Sequence, residues 1–193
     1  MSWFSVLLLL GMAALIPTAY AAKIGAPYVP TYRRALIAAF DFIQLGPGDA
    51  LVDLGAGDGK VVRLAAQRGA SAIGFELSPI MWVIAVLWSL RYPHARVYLR
   101  NFYRQSLQQT LMPLSRRSNQ RTILFTFLMP QNMERVRRYL ASQSVQAARY
   151  FLSYMFPLPN TEPVKIIRVP RCGPVYIYDL RPLTKPLAAI KPV

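Results

Sequence analysis

A glycine-rich turn between a predicted strand and a predicted helix is the feature that most constrains the fold of this chain. Residues 52–60 have the sequence VDLGAGDGK. The apolar run Ala50 to Leu54 is interpreted as a buried strand, and Gly59 to Arg68 has the pattern of a helix that Gly69 ends. Because glycine has no Cβ, such a turn lets a ligand approach the backbone closely. The segment therefore predicts a ligand site beyond the carboxyl end of a strand in an open α/β sheet.

Strand and helix patterns alternate along the rest of the chain. Further strands are predicted at Ser71 to Phe75, Ala95 to Leu99, Arg121 to Leu128 and Ala147 to Met155. Further helices are predicted at Thr31 to Leu45, with Thr31 as the cap, at Pro79 to Arg91 and at Asn132 to Leu140. This alternation is typical of a mostly parallel sheet covered by helices on both faces. Val164 to Val169 and Val175 to Leu180 are interpreted as an antiparallel hairpin at the sheet edge.

The N-terminal segment from Ser2 to Ala22 has no charged residue. About 20 apolar residues suffice for a helix to cross a bilayer. A cleaved signal peptide is one interpretation, since residues 19–21 (AYA) resemble a cleavage site, but no Lys or Arg precedes the apolar run. A retained transmembrane helix is favoured because Lys23, Arg33 and Arg34 follow the run. We expect a single-pass protein of the inner (cytoplasmic) membrane whose C-terminal domain is cytosolic.

The predicted domain organisation follows from these patterns. Residues 1–22 form the anchor or signal sequence, and residues 23–30 form a proline-containing extended connector. Residues 31–181 form one α/β domain, and residues 182–193 form a flexible tail.

Composition limits the classes of partner and site. The formal net charge of +15 predicts attraction to anionic surfaces, either nucleic acid or anionic membrane lipid. The chain has one cysteine, Cys172, and one histidine, His94. It therefore cannot form an intrachain disulfide, and neither a thiolate cluster nor a polyhistidine metal site is predicted.

Two acidic residues flank the glycine turn in a way that indicates a nucleoside ligand. Asp53 precedes the first glycine by two residues, and Glu76 ends the next predicted strand in the sequence GFEL. A carboxylate at that strand end is positioned to bind the hydroxyls of a ribose. The dinucleotide fingerprint spaces its glycines as GxGxxG, whereas here the third glycine comes one residue earlier.

The pair VDLGAGDG and GFE resembles motifs I and II of the class I (seven-β-strand) S-adenosylmethionine-dependent methyltransferases. The resemblance implies a Rossmann-like three-layer sandwich and S-adenosyl-L-methionine as cofactor. It implies that Asp53 supports the methionine end of the cofactor, that the glycine turn passes the methionine and ribose, and that Glu76 binds both ribose hydroxyls. The cofactor-binding residues that it implies are Asp53, Gly55, Ala56, Gly57, Gly59, Glu76, Leu77, Asn101, Tyr28 and Thr31.

Four further segments narrow the resemblance. They are GAPYVPT at 25–31, Asn101-Phe102, Leu128-Met129-Pro130 and FPLP at 156–159. They resemble the small bacterial and archaeal relatives of the adenine-nucleotide-translocase and ATP-synthase c-subunit protein-lysine methyltransferases. The implied activity is lysine N-methylation of a membrane-associated protein, with Tyr28 and Thr31 closing over the methionine moiety and Asn101 near the adenine.

The acceptor side of the site is less constrained than the cofactor side. Tyr28, Met129, Pro130 and Phe156 are candidates to line an apolar channel for the lysine. For Met129 and Phe156, ordinary core packing is an equal alternative, and the sequence identifies no general base.

Two other classes of acceptor stay open. The charge is compatible with an RNA or other nucleic-acid methyltransferase that would use Arg116, Arg117, Arg135, Arg137 and Arg138 to contact phosphates. Nucleic-acid amino-methyltransferases usually have an Asn/Asp-Pro-Pro-aromatic motif, and residues 127–130 here are FLMP. A small-molecule or lipid methyltransferase at the membrane is the second alternative. Cys172, in the predicted hairpin, is interpreted as having no catalytic role and as distant from the site.

Overall fold

The computed structural model describes residues 2–24, 29–111, 121–143 and 148–180. Tyr28, Arg116, Arg117 and the predicted tail lie outside these residues. The helices are α1 (Trp3–Ile24), α2 (Arg33–Phe42), α3 (Lys60–Gln67), α4 (Pro79–Ser89), α5 (Leu107–Leu111) and α6 (Pro130–Ser142), and a 3-10 turn covers Phe102–Arg104. The strands are β1 (Ala50–Asp53), β2 (Ser71–Glu76), β3 (Ala95–Leu99), β4 (Thr122–Thr126), β5 (Ala148–Tyr154), β6 (Lys165–Ile167) and β7 (Val175–Asp179).

The strands form one sheet of order β3-β2-β1-β4-β5-β7-β6. The first five strands are parallel, and β7 is antiparallel to both β5 and β6. This arrangement confirms the predicted mostly parallel α/β sheet with an antiparallel hairpin at its edge. Strand order reverses between β1 and β4, which places a crevice beyond their carboxyl ends.

Apolar side chains fill the space on both faces of the sheet. On one face, Leu36 and Phe40 of α2, Val62 of α3 and Ala85 of α4 belong to a single buried cluster. On the other face, Met133, Val136, Tyr139 and Leu140 of α6 pack in a second cluster. All four residues of β1 are buried, as expected for a central parallel strand.

Several predicted boundaries differ from those observed. Thr31 does not cap α2: Tyr32 occupies the N-cap position without a side-chain cap bond. Strand β4 ends at Thr126 rather than Leu128, and α6 begins at Pro130 rather than Asn132. Proline favours the first helical position because its missing N–H would have no partner there, so the helix begins at that residue.

Among the α1 side chains that the structure describes, most of the large apolar ones are exposed, including Trp3 at 87% and Phe4 at 76%. The predicted membrane span finds no support in the structure: within the described residues, no helix has both the length and the apolarity that crossing a bilayer requires.

Candidate functional site

A cavity of about 240 Å³ opens at the carboxyl edge of the sheet, beyond the ends of β1 and β4. Its walls come from the glycine turn, the end of β2, the 3-10 turn after β3, the segment after β4 and the chain before α2. The residues that line it include Thr31, Asp53, Gly55, Ala56, Gly57, Asp58, Lys60, Glu76, Leu77, Ser78, Asn101, Phe102, Tyr103, Phe127, Leu128 and Asn132.

Left-handed backbone at two glycines shapes the turn. Gly57 has φ 53° and Gly59 has φ 79°, a region that residues with a Cβ rarely adopt. Gly59 is the N-cap of α3, and its N–H donates to the carbonyl of Ala56 over 2.8 Å. The carboxylate of Asp58 accepts from the N–H of Lys60 at 2.9 Å. The turn therefore leads directly into the amino end of α3, where Asp58 accepts the first N–H of the helix.

Asp53 lies beneath this turn and is 1% exposed. One carboxylate oxygen, Oδ1, accepts from the N–H of Gly55 at 3.1 Å. The other oxygen, Oδ2, is buried with no hydrogen-bond partner among the described residues. Burial raises the pKa of Asp53 to about 7, and the neighbouring Glu76 and Asp58 add to the increase. A polar atom buried in this way is costly, which points to a ligand at this position.

Glu76 is held in one orientation by backbone donors. Its Oε2 accepts from the N–H of Gly57 at 2.7 Å. Its Oε1 accepts from the N–H groups of Leu77 at 2.8 Å and Ser78 at 2.7 Å. Burial raises the pKa of Glu76, and the three backbone donors partly oppose that increase. The carboxylate thus bridges the end of β2 and the glycine turn on the cavity wall.

The glycine turn sits directly on β2 because Gly74 has no side chain. The N–H of Ala56 donates to the carbonyl of Phe75 over 2.9 Å. A Cβ on Gly74 would lie 2.6 Å from the Cβ of Ala56 and 2.9 Å from Cγ2 of Val62. The sequence motif contained this glycine but did not reveal its role. Its position two residues before Glu76 was the available signal.

Asn101 and Tyr103, which follow β3, also line the cavity. Asn101 accepts from the N–H of Tyr103 through its Oδ1 at 3.0 Å, which caps the 3-10 turn. The guanidinium of Arg135 lies 3.9 Å from the centre of the Tyr103 ring. The Tyr103 hydroxyl is buried and has no partner among the described residues. Tyr103 was not predicted as a site residue.

Lys60 connects the glycine turn to the chain before α2. Its Nζ donates to the backbone carbonyl of Thr31 over 3.1 Å. Thr31 is 8% exposed and lines the cavity. This bond brings the segment that contains Thr31 against the turn, a contact between residues 29 positions apart that the sequence pattern could not indicate.

An aromatic cluster of Phe127, Tyr154 and Phe156 adjoins the cavity. Phe127 lines it, and the ring of Tyr154 meets Phe127 edge-on at a centroid distance of 4.8 Å. The Phe156 ring lies 6.4 Å from Phe127. The hydroxyl of Tyr154 accepts from the N–H of Gly173 at 3.0 Å, which brings the hairpin turn containing Cys172 to this cluster. Cys172 is therefore closer to the site than the sequence suggested.

The predicted site residues have different placements. Asp53, Gly55, Ala56, Gly57, Glu76, Leu77, Asn101 and Thr31 all line the cavity. Gly59 lies behind it, where a Cβ would meet the Ala85 Cβ at 3.1 Å. Of the acceptor-channel candidates, Phe156 belongs to the aromatic cluster, whereas Met129 and Pro130 cap and begin α6 and are not among the residues lining the cavity. Tyr28 lies outside the described residues. The individual roles stay predictions.

The arginines of α6 are engaged in contacts within the chain. Arg137 and Arg138 both donate to Glu134, at 2.8 Å and 3.2 Å, and Arg135 stacks on Tyr103. The hydrogen bond from Arg137 lowers the pKa of Glu134 to about 2. The three arginines that the sequence analysis considered for binding phosphates thus have partners within the chain.

Comparisons with known proteins agree with the resemblance drawn from the motifs. No protein-family model matches the chain. The ATP synthase c-subunit lysine N-methyltransferase of Xenopus laevis is 29% identical over 166 residues, which are 82% of this chain and 65% of that protein. The enzyme of the same name from Rattus norvegicus is 31% identical over 149 residues, covering 73% and 61%. The chain thus spans less than two thirds of either relative.

A solved structure of an RNA methyltransferase from Salinibacter ruber, in complex with S-adenosyl-L-homocysteine, superposes with a TM-score of 0.65. It is 18% identical and covers 85% of this chain and 98% of that one. The likeness shows the fold: this chain has the class I methyltransferase α/β fold with a seven-stranded, mostly parallel sheet.

Proposed function

We propose that this chain is an S-adenosylmethionine-dependent methyltransferase that acts on a lysine side chain of a membrane-associated protein. The observation that carries the proposal is the pairing of Asp53 and Glu76 across the glycine turn. One carboxyl group is buried with an unpartnered oxygen, and the other is fixed by three backbone donors. Both face one cavity at the switch point of the sheet, where class I methyltransferase folds bind their cofactor.

The residues of the cavity fit S-adenosylmethionine. Glu76 offers a fixed carboxylate for a ribose diol, and the side-chain-free backbone at Gly55 and Gly57 allows close approach. The carboxyl group of Asp53 would gain a positively charged neighbour, which favours its ionised form. Asn101 and Phe102, which follow the neighbouring strand β3, also line the cavity and are positioned to hold a base.

When bound, the cofactor supplies a methyl group activated by a positively charged sulfur. The protein's contribution to such a transfer is to position the acceptor in line and to exclude water. No side-chain nucleophile is needed for this chemistry. The apolar side chains that line the cavity and would exclude water from it are those of Leu54, Phe75, Phe125 and Leu128.

The aromatic cluster is proposed as the acceptor side. A lysine must lose a proton before it can accept a methyl group, and its reference pKa is about 10.4. Removal of the entering amine from water beside the apolar side chains Phe127 and Phe156 would disfavour the ammonium form and lower the pKa of that amine. Lysine as the acceptor is supported by the two curated relatives, which are named lysine N-methyltransferases.

A membrane location is part of the proposal. Its support is the uncharged segment from Ser2 to Ala22 and the basic residues that follow it. Because the cofactor is made in the cytosol, we place the catalytic domain on the cytosolic side, attached by its first helix. The name of the relatives' substrate, a component of ATP synthase, agrees with an acceptor at a membrane.

Transfer of a labelled methyl group into a host membrane extract tests the acceptor class. Protease, nuclease and organic extraction then separate label in protein, nucleic acid and lipid. We expect protease to release the label, and amino-acid analysis to find it on methylated lysine. Label that survives protease but not nuclease would instead identify a nucleic-acid enzyme, and label in the organic phase a lipid enzyme. The Asp53→Ala variant provides the blank, and Glu162→Gln, at an exposed carboxylate away from the cavity, is the matched active control.

A further inference from the structure

Helix α4 presents a continuous apolar surface to its outer side. The α4 face, as we name it, consists of Ile80, Val83, Leu87, Trp88 and Leu90, which are 36%, 46%, 58%, 56% and 73% exposed. The spacing of these residues puts them on one side of the helix. Between Pro79 and Ser89 the helix has no charged residue. An exposed apolar stripe of this kind marks an interaction surface.

The opposite side of α4 fixes the helix in place. Ala85 and Ser89 are buried against the domain, and the indole Nε1 of Trp82 donates to the carbonyl of Val97 on β3 over 3.0 Å. The side chain of Ser78 caps the helix by accepting from the N–H of Met81. The α4 face is therefore a rigid surface of the domain and not the loose end of a helix.

Helix α1 continues this apolar surface. It packs against α4, and the hydroxyls of Thr18 and Ser78 are 3.2 Å apart. Leu7, Leu8 and Leu15 of α1 are each more than half exposed. Thr18 and Ser78 also line the cavity. The two apolar helices thus meet at the wall of the candidate site.

The exposed charge next to the α4 face is positive. Arg91 is exposed and follows the helix on the same side as Leu87. The guanidinium of Arg63 lies 5.3 Å from the centre of the Trp88 ring, where it is largely buried and paired with Asp58 at 3.8 Å. Between Glu76 and Glu134 the sequence has no acidic residue. Apolar side chains with a tryptophan and a basic margin match the chemistry of an anionic lipid surface. A second copy of this chain would instead bring like charges together, since each copy carries a net charge of +15.

We propose that the α4 face lies on the surface of an anionic bilayer, with its apolar side chains at the boundary between head groups and acyl chains. The proposal rests on the membrane location given under the proposed function, and it adds that the catalytic domain itself contacts the lipid. Because Ser78 adjoins both the α4 face and the cavity, the cavity then lies next to the membrane surface. A lysine near the bilayer surface would reach it without leaving the interface.

A fluorescent probe at Leu87 tests the contact directly. The full chain with Cys172→Ser and Leu87→Cys is labelled with the environment-sensitive dye NBD, and Val164→Cys in the same background is the matched control. The two positions are similarly exposed, at 58% and 57%, but Val164 precedes β6 at the other edge of the sheet. With vesicles of phosphatidylcholine and phosphatidylglycerol, we expect a blue shift and a severalfold intensity gain at Leu87 only, quenched by doxyl-labelled lipid.

Flotation of the same vesicles separates this inference from the membrane location. Protein that floats while the Leu87 probe stays silent would overturn the α4 contact and leave the location intact. A protein that does not float with the vesicles would overturn both the α4 contact and the membrane location, whatever the result of the methyl-transfer assay. A probe response that needs no vesicles and grows with protein concentration would assign the face to a second copy and also overturn the proposal. The double change Leu87→Ser and Leu90→Ser should weaken vesicle binding about tenfold, and Val164→Ser should not.

Discussion

The carboxyl group of Asp53 is buried at a position where the folded chain by itself gives it one hydrogen bond. Gly55 donates to Oδ1, and Oδ2 is unpartnered within the described residues. Burial raises the pKa of Asp53 from 3.8 to about 7, so the free protein holds this group partly protonated near neutral pH. Ionisation of a buried carboxyl group costs free energy, and a nearby positive charge offsets that cost. Asp53 is therefore suited to bind a cationic ligand.

We therefore predict that binding of S-adenosylmethionine strengthens as pH rises. Below about pH 7, Asp53 of the free protein is protonated, and the cationic cofactor must displace that proton. The dissociation constant should fall by up to about tenfold per pH unit from pH 5 to 7 and level off above it. Calorimetry in buffers of different ionisation enthalpy should detect proton release on binding near pH 7.

The variant Asp53→Asn should weaken binding above pH 7 and flatten the pH dependence. Glu134→Gln, which changes a partly exposed carboxylate that is paired with Arg137 and does not line the cavity, should retain the profile of the unchanged protein. An Asn variant with the original slope would assign the titration to another group and contradict the prediction.

At Glu76, the change to Gln tests the ribose contact. The amide would place a donor opposite one of the N–H groups of Gly57, Leu77 or Ser78, and it removes the charge that receives them. Hydrogen bonds to charged groups are worth about 1.5–3 kcal/mol, so cofactor affinity should fall by about tenfold to a hundredfold and Tm should fall as well. Glu162→Gln, at an exposed position, should leave both unchanged. Unaltered affinity in Glu76→Gln would refute the assignment of this carboxylate.

At the scale of elements, the geometry of the site depends on how closely the glycine turn approaches β2. The turn is tied to the strand by the bond from Ala56 to Phe75 and passes over Gly74. The turn alone would not hold Asp53 and Glu76 on one wall. Contact between the turn and the neighbouring strand does so.

The change Gly74→Ala should therefore displace the turn. The added Cβ would lie 2.6 Å from the Cβ of Ala56, and neither group is the end of a flexible side chain. We expect a loss of about 1–3 kcal/mol in the free energy of unfolding and a clear loss of cofactor affinity. The control is Gly46→Ala, where the nearest atom to the new Cβ is 4.0 Å away and φ is not positive. Denaturant unfolding measures the free energy of unfolding of both variants, and calorimetry measures their affinity for the cofactor. Equal stability and equal affinity in the two variants would contradict the prediction.

At the scale of the whole molecule, the two ends of the sheet have different roles. The carboxyl ends of the strands hold the cavity, whereas the amino ends are tied together by Arg121. Its guanidinium donates to both carboxylate oxygens of Asp49, at 2.9 Å and 2.7 Å. It also donates to the carbonyls of Ile43 and Gln44 after α2. One side chain thus joins the start of β4, the turn before β1 and the end of α2.

The change Arg121→Met should lower stability and leave the site intact. It removes several charge-assisted bonds and leaves Asp49, which is 6% exposed, without this partner. We expect a loss of about 2–3 kcal/mol in the free energy of unfolding, with cofactor affinity within about twofold of the original. Arg96→Met, at an exposed position of the edge strand β3, should change neither quantity. A large loss of affinity in Arg121→Met at a temperature where it is folded would show that the two ends are coupled.

Much of the fold was predictable because the strongest patterns are local. The apolar runs that became β1 and β3, the glycine turn and the Pro79 helix start all follow from the neighbouring residues in the chain. The ends of the elements were less predictable. Tyr32, and not Thr31, occupies the N-cap position of α2, and the carbonyl of Thr31 accepts a hydrogen bond from the distant Lys60. Composition alone was not sufficient for the N-terminal segment. Its uncharged apolar run predicted a membrane-spanning helix, but no helix within the described residues qualifies as one.

The cofactor side of the candidate site could be identified from sequence because it is carried by two short motifs at consecutive strand ends. Asp53 and Glu76 needed only the strand-turn-helix pattern around them. The acceptor side needed contacts between distant residues: Phe127 after β4, Tyr154 at the end of β5 and Gly173 in the hairpin turn meet only when the sheet forms. The sequence by itself determined the type and order of the main elements, because those patterns involve neighbouring residues. The tertiary structure decided the burial of Asp53 and the close contact of the glycine turn with Gly74, because both depend on packing between elements that are distant in the sequence.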